Sequence, residues 1–120
     1  MSTFQIEGGV PLSGTVRASG NKNAILPMIA ACILTDQEVV LDNVPDIIDV
    51  RHMLDVIVAL GGKVERSGER ISVHVASVNT SEISRELCNK VRSSILCVAP
   101  LLHRTATAPY RQGHTVPTRW

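Results

Sequence analysis

The stretch that decides the fold is SGNKNA at residues 19–24, followed by the apolar run ILPMIAACIL at residues 25–34. Gly20 lets the backbone turn without a steric penalty, and the residues after it are typical of the start of a helix. The first amide groups of a helix have no acceptor within it, and Lys22 and Asn23 would add a positive charge and an amide donor there. The stretch therefore predicts a helix N-terminus that can hold a phosphate or a carboxylate.

A plainer interpretation of the same residues stays open. Small polar residues commonly cap helices, so residues 19–24 could serve only to start the helix. The run after Asn23 is apolar on nearly every side, which predicts a helix covered all round by protein. Pro27 is compatible with that helix if it falls in or near the first turn, and we expect the helix to end near Thr35 and Asp36. The run is too short to cross a bilayer, so no membrane span is predicted.

The residues around this helix alternate between apolar and polar, which predicts strands. Thr3 to Glu7 and Leu12 to Arg17 are interpreted as two strands of a hairpin, because glycines and a proline separate them. After the helix, Glu38 to Leu41 predict a short strand. Asn43-Val44-Pro45 should interrupt it, since a residue before proline is restricted and the proline itself lacks a backbone donor.

A second helix is predicted from Asp49, which is the expected N-cap. Its apolar stripe comprises Val50, Met53, Leu54 and Ile57. Gly61 and Gly62 should stop this helix, because glycine readily adopts the left-handed conformation of a helix C-terminus.

A hairpin and a third helical region are predicted next. Lys63 to Arg66 and Arg70 to His74 flank a turn at residues 67–69, which is a hairpin signal. The third helical region covers roughly Ile83 to Leu102, where Pro100 should kink or end it. Its apolar stripe is Leu87, Val91, Ile95 and Val98.

Composition and charge argue against nucleic-acid recognition. Hydrophobic residues make up 44% of the chain and aromatic residues only 2%, so the core must be aliphatic and stacking on bases is not expected. The net charge is +1, but the sequence is uneven, with six Lys and Arg against nine Asp and Glu before residue 82, and six against two from there on. The basic second part suits an anionic ligand or an ordinary solvated surface, and the sequence leaves both open.

The cysteines and histidines predict a reduced, cytoplasmic protein without a metal. Cys32 and Cys97 lie in apolar runs and are expected to be buried thiols, while no Cys-x-x-Cys spacing or signal sequence is present. On a straight helix Cys88 and Cys97 would lie about half a turn out of phase, which excludes a disulfide between them. The four histidines are too scattered to suggest a metal site.

An ordered series of motifs resembles one family of enzymes. The motifs are GTVRASGNKNA at residues 14–24, LP at 26–27, NVP at 43–45, LGGKVE at 60–65, VRSSI at 91–95 and APL at 99–101. The series resembles the N-terminal part of the enolpyruvyl transferases, and among them the UDP-N-acetylglucosamine 1-carboxyvinyltransferase family. The resemblance fades near Thr107. In the sister family of the shikimate pathway the loop reads Lys-Ser in place of Lys22-Asn23, so that branch is less similar.

The resemblance implies an α/β fold of repeated strand-helix units, the inside-out α/β barrel, which this chain contains incompletely. In the family two similar domains close over the substrates. Residues 1–18 would then be edge strands that belong to the other, missing domain, and residues 19–107 would form a partial enolpyruvyl transferase domain. Residues 108–120 would be a divergent tail, which we expect to be disordered.

The resemblance also implies a function. Enzymes of this family transfer enolpyruvate from phosphoenolpyruvate to the 3-hydroxyl of UDP-N-acetylglucosamine without a cofactor, which is the first committed step of peptidoglycan synthesis and so serves cell wall biogenesis, cell shape and cell division. Lys22 and Asn23 match the pair that holds phosphoenolpyruvate. Arg92 matches the arginine that contacts UDP-N-acetylglucosamine, and a guanidinium suits phosphate oxygens. Without the resemblance, Arg92 is better interpreted as a surface arginine of an amphipathic helix.

One part of the family's site has no counterpart in this sequence. The family carries its general acid, a cysteine or an aspartate, in a glycine-rich loop, whereas residues 109–119 contain neither. We therefore expect the N-terminal part of a transferase, without a catalytic residue and inactive by itself. The alternative is a non-catalytic module that binds phosphate-bearing ligands or pairs with a homologous chain. Exposed apolar surface would favour self-association in either case.

Overall fold

The computed structural model describes residues 2–79, 83–90 and 92–105. The elements in chain order are α1 (Lys22–Ala31), the 3₁₀ turn η1 (Cys32–Leu34), β1 (Glu38–Leu41), α2 (Ile48–Ala59), β2 (Lys63–Ser67), β3 (Arg70–His74), α3 (Arg85–Lys90), the 3₁₀ segment η2 (Arg92–Cys97) and α4 (Val98–Thr105). The helices lie on one face of a small sheet. This is an incomplete α/β arrangement, as the sequence predicts.

The sheet is antiparallel with strand order β1-β3-β2, so the central strand is the last in sequence. Val73 of β3 lies opposite Val39 on one side and Val64 on the other, and this row faces the helices. The hairpin predicted at residues 67–69 is confirmed, because Ser67 pairs with Arg70 across a two-residue turn. The strand predicted at residues 38–41 is also confirmed.

The core between the sheet and the helices is aliphatic. Its largest fully buried side chains are Ile29, Ile33, Met53, Ile57, Leu60, Ile71 and Leu101 together with Val44, Val50, Val56, Val73 and Val75. All four residues of the stripe predicted for the second helix are buried. Fully burying such a side chain contributes about 1.5–3 kcal/mol, so this cluster supplies most of the favourable free energy of folding.

Helix α1 begins after Asn21 and ends where the sequence predicts, because η1 follows it and Thr35 caps the end. Pro27 is the sixth residue of α1, just beyond the first turn, and the helix continues through it. The expectation that this helix is covered all round is not met by the described residues. Met28 and Leu34 are about half exposed, because the described elements pack against only one side of the helix.

Helix α2 begins two residues earlier than predicted, and the N-cap assigned to Asp49 is wrong. Ile47 occupies the cap position, and Asp49 lies within the first turn. Its carboxylate contacts Lys22 instead of a backbone amide of its own helix. The stop predicted at the two glycines is confirmed, because the amide of Gly61 donates to the carbonyl of Val58, and Gly61 has a φ of 101°.

The hairpin predicted at the N-terminus is wrong. Residues 3–7 and 12–17 run without strand pairing, and Phe4 and Leu12 are 90% and 97% exposed. An alternating pattern produces a strand only when a neighbouring strand accepts its hydrogen bonds and another surface covers its apolar side. No described element does either for this N-terminal arm (residues 2–18).

The third helical region is divided, which the sequence did not predict. Residues 85–90 form α3, residues 92–97 form η2, and Pro100 lies in the first turn of α4, where a missing backbone donor costs little. Ile95 of the predicted stripe is 46% exposed, and Val91 lies outside the described residues. The helix therefore breaks before Pro100 and not at it.

The two cysteines of this region lie on separate elements, Cys88 on α3 and Cys97 on η2. Cys88 and Cys97 are buried free thiols on different elements, so the phase of a straight helix does not apply to them. Burial raises the pKa of the Cys97 thiol to about 12, and the nearby Cys88 adds to the effect. Burial also raises the pKa of Cys32, so the prediction of buried thiols is confirmed.

Candidate phosphate-binding site

Asn21 organises the start of α1. Its backbone is extended, and its side-chain oxygen accepts hydrogen bonds from the amides of Asn23 at 2.7 Å and Ala24 at 3.2 Å. These are two of the amides that the sequence would offer to an anion. Asn21 therefore caps the helix as the plainer interpretation predicts, and the positive end of α1 acts on a ligand through its dipole and through nearby side chains.

Lys22 is the first residue of α1, so the helix begins two residues before the start predicted after Asn23. Its ammonium forms an ion pair with the carboxylate of Asp49 in the first turn of α2. The Lys22 side chain is 54% exposed and that of Asp49 26% exposed, so the pair lies at the surface where a dissolved anion can reach it. The sequence did not predict Asp49 at this site. Its carboxylate pairs with the lysine that a ligand would use.

Asn23 follows Lys22 and is exposed at the same end of the helix. Its backbone amide is used by Asn21, which leaves its side-chain amide as the group that can meet a ligand. Lys22 and Asn23 thus offer one charge and one neutral donor at the positive end of α1. That pair of groups suits a phosphate or a carboxylate.

At Gly20 the loop before α1 packs closely against the NVP motif (residues 43–45). A side chain at Gly20 would collide with the carbonyl oxygen of Asn43 and would lie 2.7 Å from the ring of Pro45. Asn43 itself has a φ of 55°, in the left-handed region. The two turns therefore pack backbone against backbone, and this contact fixes the direction in which α1 starts.

A surface cavity of about 750 Å³ is lined in part by this loop. Its lining includes Ser19 and Gly20 but neither Lys22 nor Asn23. The charged groups in its wall are already paired, since Arg66 lies 3.6 Å from the carboxylate of Asp46. The two residues that the sequence predicts to meet an anion, Lys22 and Asn23, therefore lie outside the lining of this cavity.

Arg92 is the first residue of η2 and is exposed. Among the described residues, no hydrogen bond or ion pair joins Arg92 to Lys22. Segment η2 packs against α1, so that the two elements carrying the predicted binding residues are neighbours. The structure brings together Lys22 and Asn23, and it places Arg92 on an adjacent element.

The described residues contain two further negative findings. Among them, no helix is both long and apolar enough to cross a membrane. In the same residues, no group of three or more His, Cys, Asp and Glu side chains is arranged to hold a metal ion. The region 109–119, where the sequence lacks a general acid, lies outside the described residues.

Comparison with known proteins identifies the family. The family model of EPSP synthase (3-phosphoshikimate 1-carboxyvinyltransferase) matches residues 6–115, and the chain therefore belongs to this family of carboxyvinyl transferases. The match continues beyond Thr107, where the resemblance was expected to fade. The fold and family predictions are thereby confirmed.

Two similar curated proteins are both UDP-N-acetylglucosamine 1-carboxyvinyltransferases. The UDP-N-acetylglucosamine 1-carboxyvinyltransferase of Treponema pallidum (strain Nichols) is 50% identical over 105 residues, which are 87% of this chain and 25% of the relative. The enzyme of the same name from Treponema denticola is 47% identical over 90% of this chain and 26% of the relative. The chain thus spans about a quarter of the length of these relatives.

A solved structure supports the fold. The crystal structure of the enolpyruvyl transferase NikO from Streptomyces tendae matches with a TM-score of 0.71 and 27% sequence identity. The match covers 82% of this chain and 23% of that protein. The described helices and sheet therefore follow the course of an enolpyruvyl transferase.

Proposed function

We propose that this chain supplies the phosphoenolpyruvate-holding, N-terminal part of a transferase that moves enolpyruvate to the 3-hydroxyl of UDP-N-acetylglucosamine. The observation that carries the proposal is Lys22 at the exposed, positive end of α1, in a chain that is 50% identical over 105 residues to one enzyme of that name. An exposed ammonium beside a helix N-terminus is suited to a phosphate ester. The plainer interpretation accounts for Asn21 as a helix cap, and it accounts for Lys22 only through the ion pair with Asp49.

Three residues have roles in this proposal. Lys22 neutralises the phosphate or the carboxylate of phosphoenolpyruvate, and Asn23 donates a hydrogen bond to it. Arg92 binds the diphosphate of UDP-N-acetylglucosamine from the neighbouring segment η2, because its guanidinium can bind two oxygens at once. No cofactor or metal takes part in the proposed reaction.

Asp49 competes with the ligand in this proposal. Because its carboxylate pairs with Lys22, an incoming anion must displace it or share the lysine with it. Exposed ion pairs contribute only about 0.2–1 kcal/mol, so displacement is feasible. Asp49 therefore weakens anion binding in the described part of the chain.

The described chain would bind substrates without turning them over. Residues 109–119 contain no cysteine or aspartate to protonate the methylene carbon, and general acid catalysis typically contributes about a hundred- to ten-thousand-fold. In the proposed domain organisation, residues 1–18 are edge strands of a second domain and residues 19–107 are a partial transferase domain. Residues 108–120 are a tail, of which the family model matches the part up to residue 115. The exposed apolar residues of the N-terminal arm support the first of these assignments.

The proposed cellular role follows from the reaction. A transferase of this kind would act in the cytoplasm, in peptidoglycan synthesis, and would serve cell wall biogenesis, cell shape and the cell division cycle. Phosphoenolpyruvate and UDP-N-acetylglucosamine are the proposed ligands, and nucleic acid is not among them.

Calorimetric titration with phosphoenolpyruvate tests the site. Lys22→Ala should weaken binding more than Arg17→Ala, since both remove one positive charge but only Lys22 stands at the helix N-terminus. Arg17 is a matched control because it is exposed and pairs with Glu69 at 3.3 Å. Equal effects of the two substitutions would indicate a diffuse charge effect and would count against a specific site.

A second candidate function is that of a chain-pairing module. The observation that favours it is the N-terminal arm, where the apolar residues occupy alternate positions in each of the two stretches 3–7 and 12–17, so that each stretch would present one apolar face if it were extended. The large apolar residues of the arm are Phe4, Ile6, Val10, Leu12 and Val16, and all are exposed. Sedimentation of the wild type and of Leu12→Asp would detect self-association through these faces. A wild-type chain that is monomeric at all concentrations would exclude it.

A further inference from the structure

Arg104, in the last turn of α4, makes an unusual set of hydrogen bonds. One terminal nitrogen donates to the carbonyls of Ile33 and Thr35, both at 2.8 Å. The other donates to the carbonyls of Val75 at 3.0 Å and Ala76 at 3.1 Å. The four hydrogens on these two nitrogens therefore match four backbone acceptors.

These carbonyls are ones that secondary structure leaves without partners. Ile33 and Thr35 lie at the C-terminal end of the α1–η1 segment (residues 22–34) and just after it, where the last carbonyls of a helix have no intrahelical donor. Val75 and Ala76 follow the end of β3. The C-terminal end of a helix also carries partial negative charge, which favours a cation there.

Arg104 also lies on the segment that begins with Arg92. Residues 92–105 form η2 and α4 in succession, which we call the η2–α4 segment. Its first part packs against α1 and its last part packs against η1. The α1–η1 and η2–α4 segments therefore run side by side in the same direction, with Lys22 and Arg92 at their N-terminal ends.

From this arrangement we propose that Arg104 is a positioning residue for the substrate site. It fastens the C-terminal ends of the two segments together and so sets the separation of Lys22 and Arg92 at their other ends. The inference rests on the proposed function, since it concerns how one ligand residue is placed relative to the other. Buried Cys97 and Leu101 hold the η2–α4 segment against the core, and Arg104 fixes its position along α1–η1.

The test compares Arg104→Met, Arg104→Lys and the control Arg70→Met in the whole chain. Arg70 is a suitable control because its guanidinium binds the exposed carboxylate of Asp42, away from both segments. Affinities for phosphoenolpyruvate and for UDP-N-acetylglucosamine are measured by calorimetry. Arg104→Met should weaken UDP-N-acetylglucosamine binding by about tenfold or more and change phosphoenolpyruvate binding by less than about twofold, because a small displacement of Arg92 misaligns only the larger ligand.

A second readout does not depend on ligand binding. Modification of Cys97 by N-ethylmaleimide, located by peptide mass, reports whether the η2–α4 segment stays packed, and hydrogen exchange of the hairpin of β2 and β3 reports whether the rest is folded. Arg104→Met should speed modification of Cys97 by about tenfold or more while the hairpin keeps its protection, since separate parts of a protein open with separate free energies. Arg104→Lys should lie between Arg104→Met and the wild type, because an ammonium cannot reach all four carbonyls.

Each other outcome counts against a specific claim. If Cys97 and the hairpin lose protection together in both Arg104 variants, the residue is only structural and the proposal is overturned. It is also overturned if Arg104→Lys behaves as the wild type in every measurement. If the wild type binds neither ligand, the proposed function fails, while unchanged modification of Cys97 in Arg104→Met would separately refute the fastening role.

Discussion

Removing the charge of Asp49 should strengthen anion binding and weaken the fold. The substitution Asp49→Asn keeps the size of the side chain but removes the carboxylate that pairs with Lys22. The pair is exposed enough that its contribution is at most about 1 kcal/mol. A bound anion about 4 Å from that carboxylate would also meet a repulsion of about 1 kcal/mol in water.

Together these effects set the expected magnitude. Removing the competing ion pair and the repulsion should make the free energy of anion binding more favourable by about 1 to 2 kcal/mol. This corresponds to about five- to thirtyfold tighter binding of inorganic phosphate or phosphoenolpyruvate. The same substitution removes an acidic residue from the first turn of α2, where it interacts favourably with the helix dipole. We therefore expect the free energy of unfolding to fall by about 0.5 to 2 kcal/mol, from the lost dipole interaction and the lost ion pair.

Calorimetric titration at low ionic strength, together with urea unfolding, measures both effects. Asp55→Asn is the matched control, since it removes the same charge from an exposed position nearly two turns further along α2. It should change anion affinity by less than about threefold, because its carboxylate is farther from the site and screened by solvent. If Asp49→Asn binds anions more weakly than Asp55→Asn, then Asp49 orients Lys22 for the ligand and does not compete with it, and the reasoning fails.

Three further predictions concern stability, pH and thiol chemistry. Ser94→Ala should raise the free energy of unfolding by about 1 kcal/mol in urea titrations relative to Ser93→Ala, because the Ser94 hydroxyl is buried with no hydrogen-bond partner among the described residues. The pKa of Asp42 is lowered from 3.8, first by its hydrogen bond from Arg70, so the stability that this pair adds is present above about pH 4 and is lost as the pH falls. The melting temperatures of wild type and Asp42→Asn should therefore differ at pH 7, and the difference should shrink as the pH falls below about 4; a constant difference would contradict this. Cys97, with a pKa of about 12 against an ordinary 9.0, should have about a thousandfold less thiolate at pH 8 and so resist iodoacetamide until urea unfolds the chain.

Local signals in the sequence were sufficient for several elements. Gly68 in the hairpin turn and Gly61 at the end of α2 both have positive φ angles. The residues on either side of each glycine are enough to predict the turn and the helix stop. The start of α1 was equally local, because capping residues act within three positions of the helix end. Such features do not depend on where the rest of the chain lies, and so one sequence suffices to predict them.

Other features depend on partners far along the chain. The N-terminal arm alternates as a strand should, but no described element pairs with it, and alternation alone cannot supply the missing hydrogen bonds. Asp49 and Lys22 come from different helices, so no spacing in the sequence connects them. Arg104 binds backbone carbonyls, which every residue possesses, so its partners leave no signature in residue types.

Residues 19–24 can both cap α1 and form part of an anion site, because different groups would serve the two roles. Asn21 takes the amides of Asn23 and Ala24, so the backbone of α1 offers a ligand fewer donors than an uncapped helix would. Anion affinity must then depend mainly on side chains, namely the charge of Lys22 and the competing charge of Asp49. A site governed by side chains should respond strongly to Lys22→Ala and in the opposite direction to Asp49→Asn, whereas a site governed by backbone amides would respond weakly to both.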